Sequence, residues 1–286
     1  MAQISASSYG GSRVRLLRLF RRGDRDDPRD LAVGVRFEGD FSTAFREGVP
    51  EGIIPAETLT RLVQRVAREQ PSADLEPLGL ALCARILDRH PHVGRVRVEI
   101  VERPWTRVQI GGKAQGQTFT DSGAERRLAT VTSNGTRAAV VAGLEQLVLM
   151  RTTGFAPPRR KGAPDEAAAD GLQTLLVVTL GARWRYAEGD LPFALYREGA
   201  RLAILETFAR HAARTLQHTL YAIADVLLAT YQEIAEVTLT AEERPYRPAD
   251  LFEEGLENPD EVFVARDEPL GVVEVTVTRS AAASSS

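Results

Sequence analysis

The first half of the chain alternates apolar and polar residues in two stretches and then changes to a helical spacing. Residues 12–20 (SRVRLLRLF) and 29–37 (RDLAVGVRF) are apolar at alternate positions, and the charged turn RRGDRDDP separates them, which predicts a β-hairpin. Two amphipathic helices follow, and their apolar faces consist of Ile54, Leu59, Leu62, Val63 and Val66, and of Leu78, Leu82, Ile86 and Leu87. Strand patterns return in residues 93–105 and 119–133, so the predicted order is ββααββ.

The second half of the chain repeats this order. Its strand and helix candidates, in sequence order, are residues 136–151 (strand), 172–186 (strand), 192–212 (helix), 215–231 (helix), 233–241 (strand) and 269–279 (strand). We therefore predict an α+β fold of two tandem units, residues 1–135 and 136–286, with antiparallel sheets that the helices cover on one face. Joining the open sheet edges of several subunits into a barrel would protect them, so we expect an oligomer.

Composition excludes several classes of function. The 286 residues are 43% apolar and carry 36 basic and 39 acidic side chains, a net charge of -3 that gives no general attraction to nucleic acid or to a membrane surface. The single Cys83 cannot form an intramolecular disulfide. There is neither an apolar run near the roughly 18 residues of a membrane span nor a signal peptide, so we expect a cytoplasmic protein.

Common cofactor motifs are absent from the sequence. The four histidines, at positions 90, 92, 211 and 218, have no third ligand at metal-binding spacing. The glycine pairs at 10–11 and 111–112 are typical of turns and not of a phosphate-binding loop. These residues therefore predict neither a metal site nor a phosphate-binding loop.

Several stretches resemble the urate oxidase (uricase) family. They are YGGSRVR (9–15), RDLAVGVRFEGDF (29–41), PWTRVQIGGKAQGQTF (104–119), ARWRY (182–186), LQHTLY (216–221) and GLENPDEVFVARDEPLGVVEVTV (255–277). The resemblance implies the tunnelling fold, in which two such units per chain assemble into a tetrameric barrel, and hence a homotetramer. It also implies that urate passes electrons to O₂, giving 5-hydroxyisourate and hydrogen peroxide, without metal or organic cofactor, in a pocket between subunits.

Part of the family's substrate-binding pattern is present. By this resemblance Gln217 matches the glutamine that grips the purine, Leu216 directly precedes it in the predicted site, and Phe155 fits the stacking phenylalanine. Gln217 stands in the first turn of a helix that Thr215 is predicted to cap, where free N–H groups and the helix dipole favour an anionic or acceptor-rich ligand. The alternatives are a solvent-exposed glutamine and an ordinary core phenylalanine.

The family's proton-handling residues are replaced. The resemblance places Gly11 at the relay lysine, Thr60 and Leu62 at the lysine and catalytic threonine of the first helix, Thr174 at the purine-gripping arginine, and Glu243 and Pro245 at the asparagine and histidine. Among these, Glu243 and Thr60 are the remaining candidates for catalytic groups, and Thr174 remains a candidate for substrate binding.

These replacements change the expected chemistry. Each general acid or base contributes about 10² to 10⁴ in rate, so loss of the relay should largely abolish urate oxidation. An ionised Glu243 would repel urate, whereas a guanine-like or pterin-like ring could direct N–H donors at it. We expect a uricase-like, cofactor-independent oxidase or related enzyme that acts on a purine-like planar heterocycle, with O₂ as the candidate co-substrate.

Two alternatives remain open. The first is a catalytically silent uricase-like subunit that binds a ligand or assembles with an active partner. The second is a pterin or purine hydrolase or isomerase of the tunnelling fold, with Glu243 as acid or base.

Overall fold

Strands and helices of the predicted kinds make up the fold. The computed structural model describes residues 3–152, 175–187, 191–211, 215–253, 255–259, 261–266 and 271–279. The strands are β1 (Ser8–Arg22), β2 (Arg25–Gly39), β3 (Val93–Arg103), β4 (Trp105–Ile110), β5 (Lys113–Asp121), β6 (Arg126–Ser133), β7 (Ala138–Arg151), β8 (Leu176–Tyr186), β9 (Ile234–Glu243), β10 (Tyr246–Pro248), β11 (Phe263–Ala265) and β12 (Val272–Thr278). The helices are α1 (Ser42–Glu47), α2 (Ala56–Glu69), α3 (Leu75–Arg89), α4 (Phe193–Arg210) and α5 (Leu216–Thr230).

The chain divides into two compact units. The first comprises Met1–Leu144 and Arg185–Ala194, and the second comprises Glu145–Trp184 and Leu195–Ser286. The boundary between residues 135 and 136 that the sequence suggests stays a prediction.

The first unit contains an antiparallel sheet with the strand order β1-β2-β3-β6. Alternate residues of β2 and β3 are buried, as the apolar periodicity predicts: they are Leu31, Val33, Val35 and Phe37 on β2, and Val96, Val98 and Ile100 on β3. Helix α3 packs on β3 and β6, and α2 packs on β1. Because successive side chains of a strand point to opposite faces, this packing confirms that the helices cover one face of the sheet.

Two predicted strands of the first unit are interrupted. Sequence periodicity suggested one strand over residues 93–105 and another over 119–133, but a separate β4–β5 hairpin stands between β3 and β6. Pro104 lacks the N–H that would continue the ladder after β3. Gly111 and Gly112, with φ of 56° and 75°, form the hairpin turn that only residues tolerant of positive φ adopt easily.

The second unit repeats this arrangement. Strands β9 and β12 pair in antiparallel register, and α5 packs on both. The core positions of this contact are fully buried apolar side chains: Leu220, Ile223, Ala224 and Leu227 on α5, and Val237, Leu239 and Ala241 on β9. A short β10–β11 hairpin lies between β9 and β12, as the β4–β5 hairpin lies between β3 and β6. The tandem repeat predicted from the sequence therefore extends to an inserted hairpin in each half.

The first strand of each repeat carries a residue with left-handed backbone geometry. Arg13 in β1 has a φ of 63°, and Gln146 in β7 has a φ of 59°. In β1 the pairing register with β2 shifts between Gly11 and Val14, as a β-bulge requires. The bulge changes the direction in which Gly11 faces, and this decides what can occupy the neighbouring space. Separately, none of the helices in the described ranges is long and apolar enough to cross a membrane.

The first unit contains a buried ion cluster that joins strands β2, β3 and β6. Glu102 on β3 is 1% exposed and accepts hydrogen bonds from Arg29 Nη1 at 2.9 Å and Arg127 Nη1 at 3.5 Å. Arg29 also donates to Asp27 at 3.1 Å. Burial alone would lower the pKa of Arg29, but the facing carboxylates of Glu102 and Asp27 raise it above its usual value. The cluster therefore holds its charges only while all partners are present.

Substitution of Glu102 tests this cluster. Glu102→Gln leaves the buried guanidinium of Arg29 without its main counter-charge, and we expect the free energy of unfolding to fall by about 3 to 5 kcal/mol. On the same strand, Glu99 pairs with Arg97 at 2.7 Å in an exposed position. The control Glu99→Gln should therefore cost less than about 1 kcal/mol in urea denaturation. Equal losses for the two variants would contradict the assigned role of Glu102.

Candidate functional site

Helix α5 begins with a polar turn that faces solvent. The hydroxyl Oγ1 of Thr215 accepts a hydrogen bond from the backbone N–H of His218 at 3.1 Å, which confirms the predicted N-cap. Leu216 is buried, whereas Gln217 and His218 are exposed. Because the first N–H groups of a helix have no partner within it, the turn offers backbone donors beside the Gln217 amide. With its side chain in the core, Leu216 can serve a ligand only through its backbone.

Glu243 ends strand β9 in the same unit. Strand β9 follows α5 through a tight turn, in which Ile234 N donates to Tyr231 O at 3.1 Å, and then runs back along the helix. Its last residue therefore lies on the side of the unit where α5 begins. Glu243 is half-buried, and its backbone N–H donates to Gly271 O at 3.0 Å. The backbone of Glu243 is therefore held at the end of a strand.

The neighbours of Glu243 are also fixed. Arg244 donates from its backbone N to Val177 O at 2.8 Å and from Nε to Thr179 Oγ1 at 2.9 Å. Pro245 accepts from Arg266 N at 3.1 Å through its carbonyl. These bonds hold residues 243–245 to β8 and to the segment after β11. Proline at position 245 has no side-chain group that could take or give a proton.

Thr60, the other predicted catalytic residue, lies in the first unit on α2. Its Oγ1 donates to Ala56 O at 2.9 Å, within its own helix. That bond commits the hydroxyl proton and leaves only acceptor capacity at Thr60. The structure therefore places Gln217 and Glu243 in one unit of the chain and Thr60 in the other. Phe155 and Thr174 lie outside the described residues, so their binding roles stay predictions.

Apolar packing occupies the place where the resemblance puts a relay lysine. Leu59 and Leu62 of α2 are both buried. A Cβ atom on Gly11 would lie 2.7 Å from Leu59 Cδ2, closer than van der Waals contact allows. The periodicity of α2 predicted the buried face of Leu59. The apolar pattern did not predict that the bulge in β1 brings Gly11 against Leu59, because a bulge does not show in the spacing of apolar residues.

Other reactive groups are few. Among the residues described, no group of three or more His, Cys, Asp or Glu side chains could hold a metal ion. Burial raises the pKa of the Cys83 thiol to about 12, so at neutral pH it stays protonated and is a poor nucleophile.

Comparisons with known proteins point to one family. A family described as Uricase matches residues 8–132 and 141–274. The curated uricase of Arthrobacter globiformis is 28% identical over 279 residues, covering 96% of this chain and 90% of that protein. The uricase of Dictyostelium discoideum is 28% identical over 287 residues, covering 98% and 99%. The crystal structure of uricase from A. globiformis aligns with a TM-score of 0.87 at 28% identity, over 99% of this chain and 96% of that one.

A double-mutant cycle tests the contact between Gly11 and Leu59. Gly11→Ala should cost about 1 to 3 kcal/mol through overpacking, and Leu59→Ala about 2 to 5 kcal/mol through the cavity it leaves. The double variant should lose at least about 0.5 kcal/mol less than the sum, because each change relieves the other. Gly34→Ala, whose Cβ would lie 3.9 Å from its nearest neighbour, is the control. Strict additivity in denaturant unfolding would show that Leu59 does not close this position.

Proposed function

The chain belongs to the uricase family, and from that premise we propose that it binds a purine-like planar heterocycle at the start of α5. We propose further that it acts as a cofactor-independent oxidase or related enzyme with altered substrate or chemistry. The observation that carries this proposal is the exposed Gln217 on a capped helix start. A primary amide donates and accepts at once, so it can read the alternating donors and acceptors along a purine edge.

The carboxylate of Glu243 favours some heterocyclic ligands over others. A carboxylate at this end of the unit accepts hydrogen bonds and repels anions. Urate is an anion at neutral pH, and a guanine-like or pterin-like ring with N–H donors is a better partner for an ionised Glu243. The preferred ligand is therefore a neutral heterocycle that places an N–H group toward Glu243 and an acceptor toward the helix start.

The reaction depends on which side chains can take up or give protons. In an oxidase, the ring loses two electrons to O₂, which takes up two protons and leaves as hydrogen peroxide. Gly11, Leu59 and Leu62 provide no group that could carry those protons. Glu243 and Thr60 are the catalytic candidates that the resemblance leaves, and of the two only Glu243 has a carboxylate that can accept a hydrogen bond from a ring N–H. Because the family resemblance implies chemistry of the ring itself, the proposal requires no metal and no organic cofactor.

The apolar packing at Gly11 and Leu59 favours one competing function. A family member that lacks proton-relay side chains could bind the heterocycle without turning it over, as a silent or partner subunit. A hydrolase or isomerase that uses Glu243 is the other alternative, and it differs from an oxidase in consuming no O₂. Binding and turnover measured with a panel of heterocycles distinguish the three functions.

Calorimetry with urate, xanthine, guanine and pterin tests ligand binding. Gln217→Ala should weaken binding of the preferred ring at least about tenfold, the loss expected when a site leaves polar groups unpaired. Glu243→Gln should weaken guanine or pterin and spare or improve urate. Gln232→Ala at the far end of α5 and Glu242→Gln beside Glu243 are matched controls that should leave the affinities unchanged.

Turnover is measured in parallel as oxygen uptake, peroxide release and ring absorbance. Oxygen-linked peroxide release with one of the rings is expected. Absorbance change without oxygen uptake would indicate the hydrolase or isomerase, and binding without turnover the silent subunit. If no ring binds, or if Gln217→Ala binds as well as the unaltered protein, the proposed site is wrong.

A homotetramer completes this proposal. Large apolar side chains are exposed around the β10–β11 hairpin and at the start of β12: they are Phe252, Leu256, Val262, Val264 and Val272. In the described part of the chain, β1 and β12 each pair with a strand on one side only. Open edges and apolar surface of this kind are normally covered in an assembly.

Native mass spectrometry tests the assembly. We expect a tetramer at micromolar concentration, and we expect Phe252→Asp combined with Val264→Asp to shift the population to smaller species by placing charge in an apolar contact. Asp250→Asn, on the same segment but without an apolar side chain, is the control. A monomer that persists across the concentration range would contradict the assembly.

A further inference from the structure

Two histidines meet beside the start of α5. The rings of His211, which follows α4, and His218, in the first turn of α5, lie edge to face with centroids 4.5 Å apart. Arg151 of β7 fixes the end of α4, where its Nη1 donates to His211 O at 2.8 Å. His218 follows Gln217 directly in the helix and is exposed. The pair therefore combines a ring whose backbone Arg151 holds with a ring that solvent or a ligand can reach.

The two rings differ in their surroundings. The Nδ1 atom of His211 is buried and has no hydrogen-bond partner among the described residues. Burial, followed by the neighbouring charges of His218 and Arg151, lowers the pKa of His211, which favours the neutral form of this ring. Two cationic rings at this separation would repel each other. Tyr221 lies one turn further along the same exposed side of α5 as His218.

We propose that His218 accepts a proton from an N–H group of the heterocycle held by Gln217, and that His211 positions the His218 ring. This inference rests on the function proposed above. In the step, the ring N–H bond breaks, its electron pair stays on the heterocycle, and the proton forms a new N–H bond on His218. The resulting ring anion gives up electrons more readily than the neutral ring. The pair thus supplies, in the second unit, an acid–base group that Gly11 and Leu62 cannot supply in the first.

The pH dependence of binding tests the assignment, with guanine as a neutral probe and urate as an anionic probe. A histidine ring ordinarily takes up a proton as the pH falls from about 8 to about 5.5, and a protonated ring can no longer accept from a ring N–H. The affinity for guanine should fall by up to about tenfold per pH unit, and the affinity for urate should rise. His218→Gln should flatten both profiles, and His211→Gln should shift their midpoints.

His92→Gln is the matched control, because His92 lies in the first unit, where its Nε2 meets Gly52 O at 2.8 Å. Its profiles should equal those of the unaltered protein. Should His211→Gln fail to fold, nitrogen-15 spectra of histidine-labelled protein must show His211 titrating below the ordinary value of about 6.5. A His211 ring that is charged at neutral pH would contradict the positioning role.

The outcomes separate the two proposals. Binding that Gln217→Ala abolishes, with a pH profile that His218→Gln leaves unchanged, would overturn this inference and leave the proposed function intact. Absence of binding by any ring would overturn the proposed function and this inference together. If His218→Gln flattens the pH profiles and His92→Gln leaves them unchanged, the result supports the assignment of His218.

Discussion

An antiparallel sheet with one apolar face must have that face covered, and the packing of α2, α3 and α5 onto the sheets satisfies this constraint in each unit. Nearly all of the fully buried residues named above lie at these helix–sheet contacts. The helix ends and strand ends consequently have fixed positions at the rim of each unit. Gln217 begins a helix and Glu243 ends a strand, so both functional candidates of the second unit stand where rigid elements stop.

The same packing explains why the first unit offers so little chemistry. Leu59 and Leu62 belong to the buried face of α2, and the bulge in β1 directs Gly11 at Leu59. A polar relay at this position would have to displace side chains that contribute to the core. A larger side chain at position 11 would first meet Leu59, so the packing of α2 and the choice of residue at position 11 are coupled.

The buried ion cluster of the first unit and the candidate site residues of the second unit differ in their exposure to solvent. The first unit contains a compensated buried cluster around Glu102, which contributes to stability and lies on the strand face that the helices cover. In the second unit, Glu243 is half-buried and Gln217 and His218 are exposed. Charge that is buried and fully paired fixes a fold, whereas polar groups at a rim remain available to a ligand.

The sequence by itself determined the α+β class, the tandem repeat, the β1–β2 hairpin, the buried faces of α2 and α3, and the Thr215 cap. Each of these follows from a local period or a local residue preference. The family resemblance located Gln217 and Glu243, although their roles in binding and catalysis stay predictions. The tertiary structure alone decided that the β4–β5 hairpin interrupts two predicted strands, that Leu59 fills the space in front of Gly11, and that His211 meets His218. Such contacts join residues that are far apart in the chain or follow a change in backbone direction, and periodicity within one element carries no information about either.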